Sequence, residues 1–165
     1  MRLKNLSLAL LPLALVAATP AFADDVTADL QISAQVLPGC ELMVLNAEYL
    51  EIGSLYSGQT AQSPGGVQAR CNAGTAYTIA AGDGLGRGLN PDFAGFRTLT
   101  GSSYQLPYRL ERGLGVGLEW GQGTDVFAGI GDGEWQHHDY SISFFAVNKA
   151  PNGAYTDTVE VTLTY

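Results

Sequence analysis

The last eight residues of the chain alternate between polar and apolar positions without a break. The polar positions hold threonine or glutamate, and the apolar positions are Val159, Val161, Leu163 and Tyr165. A period of two residues in β-branched and aromatic side chains is typical of a strand with one buried face. Because the pattern runs to the last residue, we expect an edge strand whose next neighbour comes from another chain.

A second alternating run lies near the other end of the chain, over residues 26–36. Polar residues separate six apolar ones, which are Val26, Ala28, Leu30, Ile32, Ala34 and Val36. A strand of this length would extend over about 35 Å, roughly twice the usual length. In one interpretation, residues 24–33 are a donor segment whose first four apolar side chains pair with another molecule, and the part up to Cys40 joins the domain's own sheet. In the other, one long or bent strand crosses both sheets.

Between these two runs, short alternating or aromatic-rich stretches are separated by glycine, asparagine, aspartate and proline. No stretch has the period of a long amphipathic helix. Many short strands with turn residues between them predict a β-sandwich or a β-barrel. The further predicted strands cover residues 66–71, 75–82, 96–100, 104–110 and 140–147.

The first 23 residues have the organisation of a secretory signal peptide. Arg2 and Lys4 precede an apolar run that is too short to span a bilayer, and an Ala-Phe-Ala sequence ends at Ala23. We expect cleavage after this residue; the alternative is a retained membrane anchor. The mature chain, residues 24–165, then has the length of one domain and is exported without stable membrane insertion.

The composition is acidic. The chain has 8 Lys and Arg residues against 16 Asp and Glu residues, which gives a formal net charge of −8. Removal of Arg2 and Lys4 with the signal leaves six basic residues and a net charge of −10. An acidic surface without a basic cluster argues against binding of nucleic acid or of anionic membranes.

Cys40 and Cys71 are the only two cysteines of the chain. An even number of cysteines in an exported protein favours one disulfide bond. Closing a loop of about thirty residues in this way stabilises a fold by roughly 3 to 4 kcal/mol. The alternative, a zinc site, lacks matching histidine ligands.

Two further groups of residues suggest other functions. His137 and His138, with Asp132, Glu134 and Asp139 nearby, resemble a metal or acid–base cluster, but adjacent residues of a strand point to opposite faces and no metal-binding spacing is present. We expect this group to lie on an exposed loop, with no metal, no cofactor and no enzymatic role.

A second group is aromatic. It suggests a sugar-binding platform and therefore a secreted carbohydrate-binding module, although the same rings are equally suited to core packing. Its members are Trp120, Trp135 and Tyr140.

Several short motifs follow one another in a characteristic order. The first half of the mature chain has Cys40, Gly53 within EIGSLYSG, and Cys71 followed by AYTIAAG, and the second half has Arg97-Thr98-Leu99, LPYRL at 106–110, Trp120-Gly121 and the closing GAYTDTVEVTLTY. In this order they resemble the spore coat protein U domain family, which includes shaft subunits of archaic chaperone–usher pili. The stretch AVNKAP differs from the Gly-Arg-hydrophobic-Pro sequence that the family usually has before its last hairpin.

The resemblance implies an all-β fold, an incomplete immunoglobulin-like β-sandwich over residues 34–165 that is completed by a donor strand from a neighbouring subunit or a chaperone. It implies a structural pilus subunit for surface adhesion or biofilm formation. The expected partners are a periplasmic pilus chaperone, an outer-membrane usher and copies of itself or related subunits in a cell-surface fimbrium or other extracellular fibre. The groove edge would be formed by the alternating apolar residues of the last strand. A secreted coat or matrix protein of the same family is the alternative.

Overall fold

The structure is a computed structural model, and it describes residues 24–45, 61–115, 117–145 and 149–165. The predicted signal peptide, the Gly53 motif and the first half of AVNKAP lie outside the described residues. The chain divides into two units, Met1–Gln35 and Val36–Tyr165.

The described part of the first unit, residues 24–35, has no regular secondary structure. Its apolar side chains are exposed, by 94% at Val26, 84% at Leu30 and 85% at Ile32. The strand predicted at residues 26–36 is therefore absent from the single chain. Residues 36–39 also lack regular structure, so neither the long strand through both sheets nor the extension of the domain's sheet up to Cys40 is formed within the single chain. Alternation specifies which face a strand would bury, but a strand also needs a neighbouring edge for its backbone hydrogen bonds.

The second unit consists of short strands joined by turns. Among the described residues the one helical element is a 3₁₀ turn at Pro91–Phe93, and no helix has the length and hydropathy needed to cross a bilayer. The strands are β1 Cys40–Leu45, β2 Ala61–Cys71, β3 Ala76–Ala81, β4 Arg97–Thr100, β5 Gln105–Arg112, β6 Leu118–Glu119, β7 Phe127–Ile130, β8 Trp135–Phe144 and β9 Val161–Thr164.

The strands form two antiparallel sheets. The larger sheet has the order β1–β2–β8–β5–β4, with β6 paired to β5, and the smaller has the order β7–β3–β9. The chain reaches β9 from the edge of the larger sheet, because Thr156 exchanges two backbone hydrogen bonds with Thr100 of β4.

The core consists of apolar side chains from strands of both sheets, packed against one another. Trp120, which directly follows β6, is 1% exposed and donates a hydrogen bond of 3.0 Å from Nε1 to the carbonyl oxygen of Ile79 in β3. This bond connects the two sheets inside the core. The buried hydrophobic residues are Val67, Ala69, Cys71, Tyr77, Ile79, Ala81, Leu106, Tyr108, Leu110, Trp120, Tyr140 and Phe144.

Most predicted strands of the second unit overlap observed ones, but three observed strands and the starts of two others were missed. β1, β6 and β7 were not predicted. β2 begins at Ala61 rather than at residue 66, and β8 begins at Trp135 rather than at residue 140. The expectation that His137 and His138 lie on an exposed loop is therefore wrong. The first half of β8 was missed because it has few apolar residues. One of its inward-facing positions is His138, a polar side chain that is half-buried against Tyr77 of the opposite sheet.

Candidate functional site

Two strand edges are open on neighbouring parts of the second unit. Within the described residues, β9 pairs only with β3 and β1 pairs only with β2. β1 and β9 approach one another to within 8 Å between Cα atoms. Two neighbouring sheet edges with unused backbone donors and acceptors are edges to which a strand can be added. Full insertion of a strand between them needs about 9 to 10 Å, so the closest part would have to widen. We call the region between them the β1–β9 groove.

The apolar face of β9 is incompletely covered. Val161 and Leu163 are half-buried against the core, whereas their partners in β3, Ala81 and Ile79, are fully buried. Side-chain burial therefore decreases from β3 to β9, toward the open edge, as expected where no further strand covers the core. Val159 is also half-buried, and Tyr165 is 61% exposed. These four residues are the ones that the sequence assigned to the groove edge.

The β1 side of the groove is similarly apolar. Leu42 packs partly against the core. Met43, Val44 and Leu45 are 43%, 39% and 38% exposed. Sequence reasoning did not find this strand, because CELMVL is apolar at nearly every position and carries no alternation.

The predicted disulfide bond between Cys40 and Cys71 is confirmed. The two residues are also directly paired at the end of the β1–β2 ladder. The bond fixes the first residue of β1 to the buried end of β2, and it therefore holds one edge of the groove in place.

The other edge is positioned by the carboxylate of Asp157, just before β9. Asp157 Oδ2 accepts a hydrogen bond of 2.6 Å from the Tyr108 hydroxyl, and Oδ1 accepts bonds from the backbone nitrogens of Leu85 (2.8 Å) and Gly86 (3.2 Å). Burial, together with this bond, raises the pKa of Tyr108 well above its usual range, so the hydroxyl keeps its proton and remains a donor. The sequence offered no signal for this contact, since the partners are separated by 49 or more residues.

Arg97 holds the end of β3, the strand that carries β9. The side chain is 2% exposed. Its guanidinium donates to the carbonyl oxygens of Gly82 (2.9 Å), Trp120 (3.0 Å) and Ala81 (3.3 Å). Gly82 in turn donates its backbone N–H to the carbonyl oxygen of Glu160 (2.8 Å). The arginine therefore satisfies buried acceptors directly behind the groove.

The two histidines do not form a joint site. His137 is exposed and bonds Asp139, while His138 is half-buried with Nε2 2.9 Å from the Tyr77 hydroxyl. Burial, and to a lesser extent His137, lowers the pKa of His138. In the described part of the chain, no group of three or more His, Cys, Asp or Glu side chains is arranged to bind a metal ion.

The aromatic platform is also not formed. Trp120 and Tyr140 are 1% and 5% exposed, with their ring centroids 5.2 Å apart in the core. Trp135 is half-buried at the start of β8, where the guanidinium of Arg70 stacks over its ring at 4.9 Å. Of the two interpretations of these rings, core packing is the correct one for Trp120 and Tyr140.

The sequence profile of the spore coat protein U domain family matches residues 26–162. The chain belongs to this family. The match begins at Val26, so it includes the alternating N-terminal segment as well as the strands of the second unit. No curated protein matches the sequence significantly.

A solved structure shares the fold. It is a chain of the crystal structure of the CsuC–CsuE chaperone–tip adhesion subunit pre-assembly complex, from the archaic chaperone–usher Csu pili of Acinetobacter baumannii. The TM-score is 0.52 at 19% identity, and the match covers 79% of this chain and 40% of that chain. The spore coat protein U domain of this chain is therefore all-β and immunoglobulin-like, as predicted.

Proposed function

We propose that this chain is a structural subunit of an archaic chaperone–usher pilus, assembled by donor-strand exchange and serving surface adhesion or biofilm formation. One observation carries the proposal. The same chain has an apolar groove between two open strand edges, β1 and β9, and a separate segment at residues 24–36 with six alternating apolar side chains and no strand partner of its own.

The segment and the groove are suited to each other chemically. An added strand supplies main-chain hydrogen bonds to both open edges, and its alternate side chains enter the apolar face. Full burial of each valine, leucine or isoleucine is worth about 1.5 to 3 kcal/mol. Three such residues, Val26, Leu30 and Ile32, together with the smaller Ala28 and a hydrogen-bond ladder, support a joint that dissociates slowly.

An assembly built from such joints would grow in one direction without closing into a ring. A donor segment on one face and a groove on another make a head-to-tail contact, and repeated contacts of this type produce a fibre. In this proposal residues 24–33 are the donor segment, and residues 34–165 are the incomplete sandwich that accepts a donor. Removal of residues 1–23 during export would free the donor segment.

A groove of this kind needs protection before assembly, because an uncovered apolar edge aggregates. The structure similar in fold contains a chaperone and a subunit in a pre-assembly complex. We propose that a periplasmic chaperone covers the β1–β9 groove of this chain, that an outer-membrane usher releases it, and that the fibre is displayed on the cell surface. The role is structural rather than enzymatic.

A coat or matrix protein is the second candidate, favoured by the description of the family as a spore coat domain. It would use the same groove and donor segment, but in a layer rather than a fibre. Electron microscopy of the assembled protein distinguishes the two, since a pilus gives filaments of constant width. The carbohydrate-binding alternative receives no support from Trp120 and Tyr140, whose rings are buried.

The proposal is tested by removing the donor segment. Deletion of residues 24–32 should leave a subunit that folds and is captured by its chaperone but is not added to a preceding subunit. Leu30→Asp should have the same effect, because it places an unpaired charge in an apolar groove. The matched control is Gln31→Lys, which adds a charge on the outward face of the same segment without placing a second carboxylate beside Glu160.

The readout is the ladder of multimers that resists heating in detergent. We expect the ladder for the wild type and for Gln31→Lys, and its loss for the deletion and for Leu30→Asp. If Leu30→Asp forms the ladder as well as the wild type, or if the deletion variant fails to fold, the segment is not a donor strand.

A further inference from the structure

We propose that joints between copies of this chain are opposed by like charges on the donor segment and the groove edge, so that assembly of the chain with itself depends on ionic strength. This inference rests on the proposed function and adds a regulation to the same site. The occupant of the groove is residues 24–36 of a second copy.

The donor segment is acidic on its polar face. Asp25 and Asp29 alternate with the apolar residues that would face the groove, and both are exposed. Residues 24–39 contain no lysine, arginine or histidine. Within the described residues neither of these two carboxylates takes part in a salt bridge. Once residues 1–23 are removed, the amino terminus at Asp24 offsets part of this charge, whereas Asp29 has no positive group beside it in the segment.

The receiving strand has its own uncompensated charge at Glu160. This side chain is exposed between the half-buried Val159 and Val161, on the outward face. Its neighbour in the direction of β3 is Gly82, which has no side chain to balance the charge. No salt bridge of the described residues includes Glu160.

The opposite edge of the groove differs in this respect. Glu41 of β1 is paired with Arg70 of β2 at 2.7 Å between Oε2 and Nη2. The charge of this glutamate is largely balanced within the larger sheet. Among the described residues, Glu160 is therefore a groove-edge charge without a partner that an incoming acidic strand would meet.

The register brings Asp29 close to Glu160 for either strand direction. If the four donor residues 26–32 meet the four apolar groove residues 159–165, Glu160 lies across from Gln31 in an antiparallel pairing and from Thr27 in a parallel one. Asp29 is two residues from each of these positions, so it is the diagonal neighbour of Glu160 in both. Such neighbours are about 7 to 8 Å apart, and like charges at this distance repel at low salt.

Ionic strength controls this repulsion. The screening length is about 30 Å at 0.01 M salt and about 8 Å at 0.15 M. At low salt the two carboxylates interact almost unscreened, and at higher salt the apolar contacts and the backbone ladder decide the rate of joint formation alone.

The test uses four forms of the full mature chain, which are the wild type, Asp29→Lys, Glu160→Lys and the variant with both substitutions. Each is diluted from denaturant with its disulfide intact, at about 0.01 M and about 0.5 M salt. The fraction in detergent-resistant multimers is followed with time. Each form supplies both the donor and the groove of its own joints, so the four differ in the signs of the facing charges.

At low salt we expect each single substitution to assemble about fivefold faster than the wild type, because it converts repulsion into attraction. The double variant should again be slow, since both groups are then positive, and the four rates should converge at high salt. A simple effect of net charge would instead make the double variant the fastest, and that result, or four equal rates at low salt, would overturn the inference. Absence of resistant multimers in every form at every salt concentration would overturn the proposed function itself.

Discussion

At the scale of single residues, the groove is supported by polar side chains that act far from their position in the sequence. Arg97 donates to three carbonyl oxygens at the ends of β3 and β6, and its side chain is buried between these two strand ends. A buried cation is costly unless its donors are satisfied, and the three acceptors are equally costly to leave unpaired. The side chain therefore makes the end of β3 a rigid support for β9.

Replacement of this arginine should destabilise the subunit strongly. Arg97→Met removes the donors and leaves buried carbonyl oxygens without partners, and we expect the free energy of unfolding to fall by about 3 kcal/mol. Urea unfolding followed by tryptophan fluorescence measures the change, since Trp120 is buried beside the site. The control is Arg87→Met, a partly exposed ion pair with Asp83, which should cost less than about 1 kcal/mol. Equal losses for the two variants would contradict this role of Arg97.

His138 links the two sheets through its contact with the Tyr77 hydroxyl, and its burial makes protonation of the ring costly. The Tyr77 hydroxyl donates to Gln136 Oε1 at 3.0 Å and lies 2.9 Å from His138 Nε2. Burial lowers the pKa of His138 below its ordinary value of 6.5, so the folded chain favours the neutral ring. The unfolded chain binds the proton more readily, and stability therefore rises with pH through this range.

We expect the folded chain to lose stability as the pH falls from 7.5 through 6.5 toward 5.5, and His138→Gln to show a smaller loss. The comparison is the midpoint of thermal unfolding at each pH, because the histidine contribution is the difference between variant and wild type. His137→Gln, an exposed neighbour, should retain most of the wild-type dependence. If His138→Gln and the wild type respond identically to pH, the neutral ring does not stabilise the contact.

At the scale of elements, the strands follow the sequence pattern wherever burial and pairing occur in the same chain. β3, β5 and the second half of β2 were predicted because their apolar residues meet the core of their own sandwich. Residues 26–36 have a cleaner alternation and form no strand, because alternation describes a face and not the edge that it pairs with. The positions of Arg97 and Asp157 could not be predicted, since their partners are joined only by the fold.

β9 provides a matched pair of positions for testing the groove. Val161 faces the core side and is half-buried, whereas Thr162 next to it is exposed on the outward face. Val161→Asp should abolish capture by the chaperone, because it places an unpaired charge in the apolar groove. Thr162→Asp introduces the same charge on the other face and should be captured normally. Co-purification of each variant with the chaperone measures the effect, and normal capture of Val161→Asp would show that β9 or its face has been assigned wrongly.

At the scale of the whole molecule, the donor segment and the β1–β9 groove are both unpaired in a single chain, and the proposed assembly would pair them between chains. The donor segment has four alternating apolar side chains with no strand partner, and the β1–β9 groove has an incompletely covered apolar face. A monomer that exposed both would be prone to aggregation. In the proposed head-to-tail assembly each subunit would complete the sandwich of its neighbour, and the same features would become the joints of a fibre.

The most direct test of this account is amide hydrogen exchange at Val26–Ile32 in the subunit–chaperone complex and in the assembled polymer. We expect fast exchange in the complex, where the segment has no strand partner, and strong protection in the polymer, where its amides would join the ladder of the next subunit. The amides of β3, inside the sandwich, should be protected in both states and serve as the reference. Equal protection of residues 26–32 in the two states would contradict donor-strand exchange.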